Sequence, residues 1–293
     1  MVSTISPPLD AVMLETRAGD FAKRSMKAAA KRAAIDLAIA CIDLTTLEGR
    51  DSPGRVRSLC AKAAFPAAGA PRVAAVCVYP NLVATAKAAL TGTGVKVASV
   101  ATAFPSGLSS LDVKLRDTEA AIAAGADEID MVIDRGAFLA GDEQRVYDEI
   151  VAVKQLCGDV HLKVILETGE LGSYDATRRA SDIALDAGAD VIKTSTGKVG
   201  TNATLPTALA MAEALRDFHR RTGMRRGLKV AGGVRSTKQA IAYLVLIDET
   251  LGGAWLQPDF FRIGASSLLD DLLLQREKER TGRYGSLDSI AKD

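Results

Sequence analysis

Short runs of β-branched and aliphatic residues alternate along the chain with longer stretches rich in Ala, Leu, Lys and Glu, whose apolar positions recur at helical spacing. Eight runs read as strands, at 40–44, 73–79, 96–104, 128–133, 162–167, 190–194, 228–231 and 261–264. Helical stretches fall between them, among them 82–90, 113–124, 143–155, 176–187, 205–221 and 238–246. Eight βα units in unbroken succession, without a Pro- and Ser-rich linker or a shift in composition, predict an α/β protein built as a single (β/α)8 TIM barrel. An open doubly wound sheet would carry a glycine-rich loop after its first strand. DLTTLEG follows instead, and neither GxGxxG nor GxxxxGK[ST] occurs.

Residues 1–35 carry helical spacing in LDAVML and FAKRSMKAAAKRAAIDLA, and predict an N-terminal helical extension that caps the bottom of the barrel. The barrel domain is expected over 36–275. Residues 276–293, REKERTGRYGSLDSIAKD, predict a last helix fraying into a short polar C-terminal tail. The connection 248–259, with Trp255 and Pro258, is expected to fold over an edge or to serve contacts between subunits.

Composition narrows the chemistry. Thirty-seven Lys and Arg against 36 Asp and Glu leave a formal charge of +1 with no long block of one sign, which argues against nucleic acid as a partner. No stretch of about 18 uncharged apolar residues predicts a membrane span, and Asp10, Glu15 and Asp20 interrupt any leader. Cys41, Cys60, Cys77 and Cys157 form no CxxC pair, and a reducing, cytoplasmic location fits them. The two histidines, His161 and His219, are too few for the usual zinc sites and leave Ser or Cys triads disfavoured; carboxylate-held magnesium stays open.

Three lysines stand inside apolar strands: Lys163 in HLKVILETGE, Lys193 in ADVIKTSTGK and Lys229 in GLKVAGGVR. Alternation puts Lys163, Ile165 and Glu167 on the inner face of the fifth strand. The same parity turns Lys193, Lys229, Asp130 with Glu128, and Asp43 inward on theirs. Burying several charges costs several kcal/mol each unless they pair or neutralise. Ion pairs that merely fix strand register, Lys163 with Glu167 or Lys229 with Asp130, are one account. Two ammonium groups held close cannot both stay charged cheaply, so one should be a free amine, as a carbonyl-attacking lysine requires.

Glycines and small hydroxyls follow the last three strands: Thr194-Ser195-Thr196-Gly197-Lys198, Gly232-Gly233, and Gly264-Ala265-Ser266-Ser267. In barrels these loops and a neighbouring helix N-terminus bind phosphate through free N–H groups and the helix dipole. GASS or AGG alone is a weak signal, but together with Lys198 they point to a phosphorylated ligand.

The motifs IDLTTLEG, VCVYPNLV, VASVATAFPSG, AGADEIDMVI, LKVILETGEL, GADVIKTSTGK, LKVAGGVR and RIGASSLL resemble the deoxyribose-phosphate aldolase family in order and spacing, over most of the barrel. The resemblance implies Lys193 as the Schiff-base lysine, with Asp130 and Lys229 handling protons. It implies Lys198, Gly232, Gly233, Gly264, Ser266 and Ser267 as phosphate ligands, with Asp43, Thr45, Cys77, Lys163, Thr196 and Gly197 also around the substrate. It further implies reversible cleavage of 2-deoxy-D-ribose 5-phosphate to D-glyceraldehyde 3-phosphate and acetaldehyde in deoxyribonucleoside catabolism, with no metal, no cofactor and a homo-oligomer. In some relatives a C-terminal tyrosine reaches the site; here nine residues follow Tyr284. Competing readings are another Schiff-base barrel lyase, transaldolase-like or acting on sugar bisphosphates, and a phosphosugar binder without chemistry.

Overall fold

The computed structural model describes residues 6–283 and 285. Eight parallel strands close into one barrel in chain order: β1 (Ile42–Thr45), β2 (Ala75–Val78), β3 (Lys96–Val100), β4 (Glu128–Val132), β5 (His161–Ile165), β6 (Val191–Lys193), β7 (Gly227–Ala231) and β8 (Phe261–Ala265), with β8 pairing back onto β1. All eight expected strands form, so the fold is the (β/α)8 barrel. The third and fifth end earlier than their apolar runs. Thr102 and Ala103 follow β3, and Glu167 follows β5, at φ of 62°, 59° and 55°, a left-handed backbone that breaks the extended ladder.

Helices α1 (Ala11–Lys23) and α2 (Ala28–Ala40) precede β1. Around the barrel run α3 (Pro53–Ala64), α4 (Val83–Ala89), α5 (Leu111–Ala123), α6 (Arg135–Leu139), α7 (Glu143–Cys157), α8 (Tyr174–Asp186), α9 (Leu205–Thr222), α10 (Thr237–Leu251) and α11 (Leu268–Thr281). Local chemistry starts several of them. Ser52 caps α3 with Pro53 in the first turn, and Thr204 and Ser236 form reciprocal capping boxes on α9 and α10. Outward-facing strand residues such as Leu44, Val76, Ile129, Leu162, Ile192, Leu228 and Ile263 are fully buried beneath this ring. That apolar shell holds the barrel, while the inner face is left for charge.

The N-terminal helices lie on the barrel's flank, not across its bottom. α1 packs on α9 and α10, with Arg17 paired to Glu213, and the residues before it tie to α8 through Ser6 with Asp182 and Leu9 with Asp175. Helix runs through both expected domain limits, since 35/36 falls in α2 and 275/276 in α11. α11 is anchored by Arg276 on Asp36 and by Glu279 on Lys31; Tyr284 and residues 286–293 lie outside the described residues. In the connection after α10, Trp255 is buried, donates to the Arg226 carbonyl at 2.9 Å and packs edge-on to His219, so this segment closes the edge where β7 begins. No described helix is long and apolar enough to cross a membrane.

Candidate active site

Alternation within six strands, β1 and β4 to β8, delivers a buried charge network to the barrel axis. Asp130 on β4 is its hub: Oδ1 accepts from Lys163 Nζ at 2.7 Å, and Oδ2 accepts from both Lys193 and Lys229 at 2.8 Å. Strand register explains the meeting, because Asp130 lies opposite Lys163 on β5 and Lys193 opposite Lys229 on β7. Lys163 also pairs with Glu128 at 2.6 Å, and Lys229 with Asp43 at 2.5 Å. Beneath them Arg262 on β8 reaches Asp43 at 2.6 Å and Glu128 at 2.7 Å. The pairing of Lys163 with Glu167 does not form; Glu167 turns to Thr196 and leaves Lys163 to Glu128 and Asp130.

Lys193 ends β6 and is the one lysine of the three at the floor of an open cavity of about 200 Å³. Its partners differ from those of its neighbours. Lys163 and Lys229 each contact two carboxylates at 2.5–2.8 Å, whereas Lys193 touches Asp130 alone. Burial therefore wins at Lys193 and, with the Lys229 ammonium beside it, lowers its pKa despite Asp130. At Lys229 burial acts in the same direction, but Asp130 and Asp43 outweigh it and raise the pKa; Lys163 is likewise raised through Asp130 and Glu128. For Asp130, burial is overcome by the three lysines, which hold its carboxyl well below the usual range.

Of the expected site residues, Thr45, Lys193, Thr196, Gly197, Lys198, Gly232, Gly233, Gly264, Ser266 and Ser267 line this cavity. Asp43, Asp130, Lys163 and Lys229 lie fully buried under its floor. Cys77 is fully buried as well, among Leu47, Ala98, Val100, Tyr79 and Phe104, and burial pushes its thiol pKa up. The cavity rim is built by loop geometry. Gly232 and Gly233 both take positive φ, and a Cβ on Gly232 would sit 2.3 Å from Asn202 Oδ1. Gly264 makes room for Lys229, whose Cε would be 3.1 Å from an added Cβ. Ser267 then opens α11, so that helix's N-terminal dipole adjoins the same cavity.

Lys198 is held by Glu48 at 2.9 Å, an exposed pair that an incoming anion can replace. Thr196 is fixed from behind. Its N–H donates to Glu167 Oε1 at 3.1 Å, its hydroxyl donates to Glu167 Oε2 at 2.5 Å, and its oxygen accepts from the Lys198 N–H at 3.1 Å. Alternation already turns Glu128 inward, but the sequence reading missed three parts: Arg262 as the partner of Glu128 and Asp43, Glu48 against Lys198, and Arg235 on the rim. Arg262 shares strand parity with Gly264, which is the signal that would have found it. Nothing in sequence spacing marks Glu48, which meets Lys198 only through folding.

The chain matches the model of the DeoC/LacD family aldolases over residues 37–272. A mouse deoxyribose-phosphate aldolase is 46% identical over 282 residues, 92% of this chain and 89% of that one. A crystal structure from Toxoplasma gondii superposes with a TM-score of 0.77 at 27% identity, covering 88% of this chain and 99% of the other. The deoxyribose phosphate aldolase of Aeropyrum pernix, described as tetrameric, gives 0.63 at 26% identity over 94% and 100%.

Proposed function

The chain belongs to the DeoC/LacD aldolase family, and from that premise we propose that it reversibly cleaves 2-deoxy-D-ribose 5-phosphate to D-glyceraldehyde 3-phosphate and acetaldehyde, with Lys193 as the Schiff-base nucleophile. The observation that carries this reading is a lysine with lowered pKa at the floor of a cavity, sharing one carboxylate oxygen with a second, charged lysine. A neutral Nζ attacks C1 of the open-chain sugar to give a carbinolamine, and loss of water gives the iminium. Acetaldehyde carries C1 and C2, so the bond that breaks is C2–C3. Its electrons flow into the iminium to form an enamine while the C3 hydroxyl gives up its proton and becomes the aldehyde of glyceraldehyde 3-phosphate. Protonation of the enamine at C2 and hydrolysis release acetaldehyde and restore the amine.

Asp130 and Lys229 stand next to Nζ as the acid–base pair for dehydration and proton return, help typically worth about 10²–10⁴ in rate. Asp43, Lys163 and Cys77 act from below the floor. The phosphate is bound by N–H groups at Gly232, Gly233, Gly264, Ser266 and Ser267 with Lys198, while Thr45, Thr196 and Gly197 line the sugar. The three inner carboxylates are occupied by Lys and Arg cations, which supports chemistry without a metal. The barrel unit over 36–275 carries all these groups. Four buried free cysteines support a cytoplasmic location, and the tetramer described for the Aeropyrum relative supports a homo-oligomer.

The test is borohydride reduction with deoxyribose 5-phosphate or acetaldehyde in the presence of chelator, followed by peptide mass mapping. A reduced adduct on Lys193 is expected. An adduct on Lys163 or Lys229 would reassign the nucleophile, and tight binding of the phosphosugar with no adduct would leave a binder without chemistry.

A further inference from the structure

The inner network has more cations than anions. Lys163, Lys193, Lys229 and Arg262 face Asp43, Glu128 and Asp130, all seven at 3% exposure or less. If every group were ionised, the barrel would hold one uncompensated positive charge in low dielectric, an arrangement relieved when one lysine gives up its proton. Arg262 cannot be that group, since a guanidinium stays charged. Of the lysines, Lys193 has the smallest share of carboxylate, because its one partner, Asp130, also serves the other two.

We infer that Arg262 and Glu128, which do not contact Lys193, are positioning residues that set its free-amine fraction by fixing the charge count at the barrel floor. Arg262 takes up one oxygen of Asp43 and both oxygens of Glu128, so the lysines above must share what remains. The groups facing Lys193 are Asp130 from β4, Lys229 from β7 and Cys77 from β2, with Lys163 of β5 on the other oxygen of Asp130 and Glu48, Lys198 and Arg235 at the cavity rim. Lys96, 3.5 Å from Glu128, is 41% exposed and screened by solvent. The inference rests on Lys193 being the nucleophile.

The sign of each substitution follows. Arg262→Met removes a cation, lets all three lysines remain charged against three carboxylates, and moves the acid limb of amine reactivity to higher pH. Glu128→Gln removes an anion and moves it to lower pH. Arg262→Lys keeps the count and stays near wild type. For charges on the order of 10 Å apart at an effective dielectric of about 20, each displacement is on the order of one pH unit, or tenfold in amine fraction at a fixed acidic pH. The readout is the rate of borohydride trapping of acetaldehyde on Lys193, followed by peptide mass against pH, with Tm recorded for each variant. Opposite displacements are expected. Unmoved limbs, or limbs moving in the same direction, would overturn the inference; if Arg262→Met does not fold, the near-isosteric Glu128→Gln decides alone. Trapping of wild type at another lysine would overturn the parent reading and the inference with it, whereas normal wild-type trapping with unmoved variants would fail the inference alone.

Discussion

Replacing Lys229 by Met tests the electrostatic core of the mechanism. Lys193 and Lys229 each place Nζ 2.8 Å from the same Asp130 oxygen, so the two nitrogens are at most about 5.6 Å apart. At that separation and an effective dielectric of about 20, the repulsion between two ammonium groups is about 3 kcal/mol, equivalent to about a hundredfold in the free-amine fraction of Lys193. Removing Lys229 also leaves Asp43 and Asp130 with less positive charge, which favours the Lys193 ammonium further. The sign is therefore fixed: below its pKa, Lys193 in the variant is more protonated than in wild type. Single-turnover trapping with acetaldehyde and borohydride, from about pH 5 to 10, should show the acid limb displaced to higher pH by about two, with reactivity recovering in alkali. An unmoved limb would refute the electrostatic role. A uniform loss at every pH would restrict Lys229 to proton transfer.

Other substitutions probe the walls and the fold. Gly232→Ala forces a side chain into a left-handed residue and against Asn202, strain of about 1–3 kcal/mol that should displace the loop proposed to bind phosphate; KM for deoxyribose 5-phosphate should rise about tenfold or more, with little change for unphosphorylated deoxyribose. Glu167→Gln weakens the charge-assisted bond from the Thr196 hydroxyl, worth about 1.5–3 kcal/mol, and should raise KM more than it lowers kcat while Tm falls by a few degrees. Asp43, Glu128 and Asp130 have folded pKa values below their ordinary 3.8 and 4.5, so their contribution to stability is present above those values and is lost as pH falls through the folded ones. Thermal melts from pH 5 to pH 2 should show Tm falling with acid, and the fall should be shallower in Glu128→Gln.

Much of this architecture can be read from local pattern. A strand's two-residue period and a helix's 3.6-residue period are properties of neighbouring residues, so the eight strands, the barrel and the inward direction of Lys163, Lys193, Lys229 and Asp130 follow from sequence. Glycines that need positive φ likewise mark the loops after β6 and β7. Alternation fails where the backbone leaves the strand, and at Glu167 it assigns a partner, Lys163, that the left-handed turn takes away. Which cation shares which carboxylate is decided only by the closed barrel. Arg262 meets Asp43 across 219 residues and Glu128 across 134, and Lys229 meets Asp130 across 99. Those distances are set by strand register around the closed ring, and electrostatic energy depends on separation in space rather than along the chain. The sequence thus supplies the charges and the faces they occupy, and tertiary closure leaves Lys193 the lysine with the smallest share of negative charge.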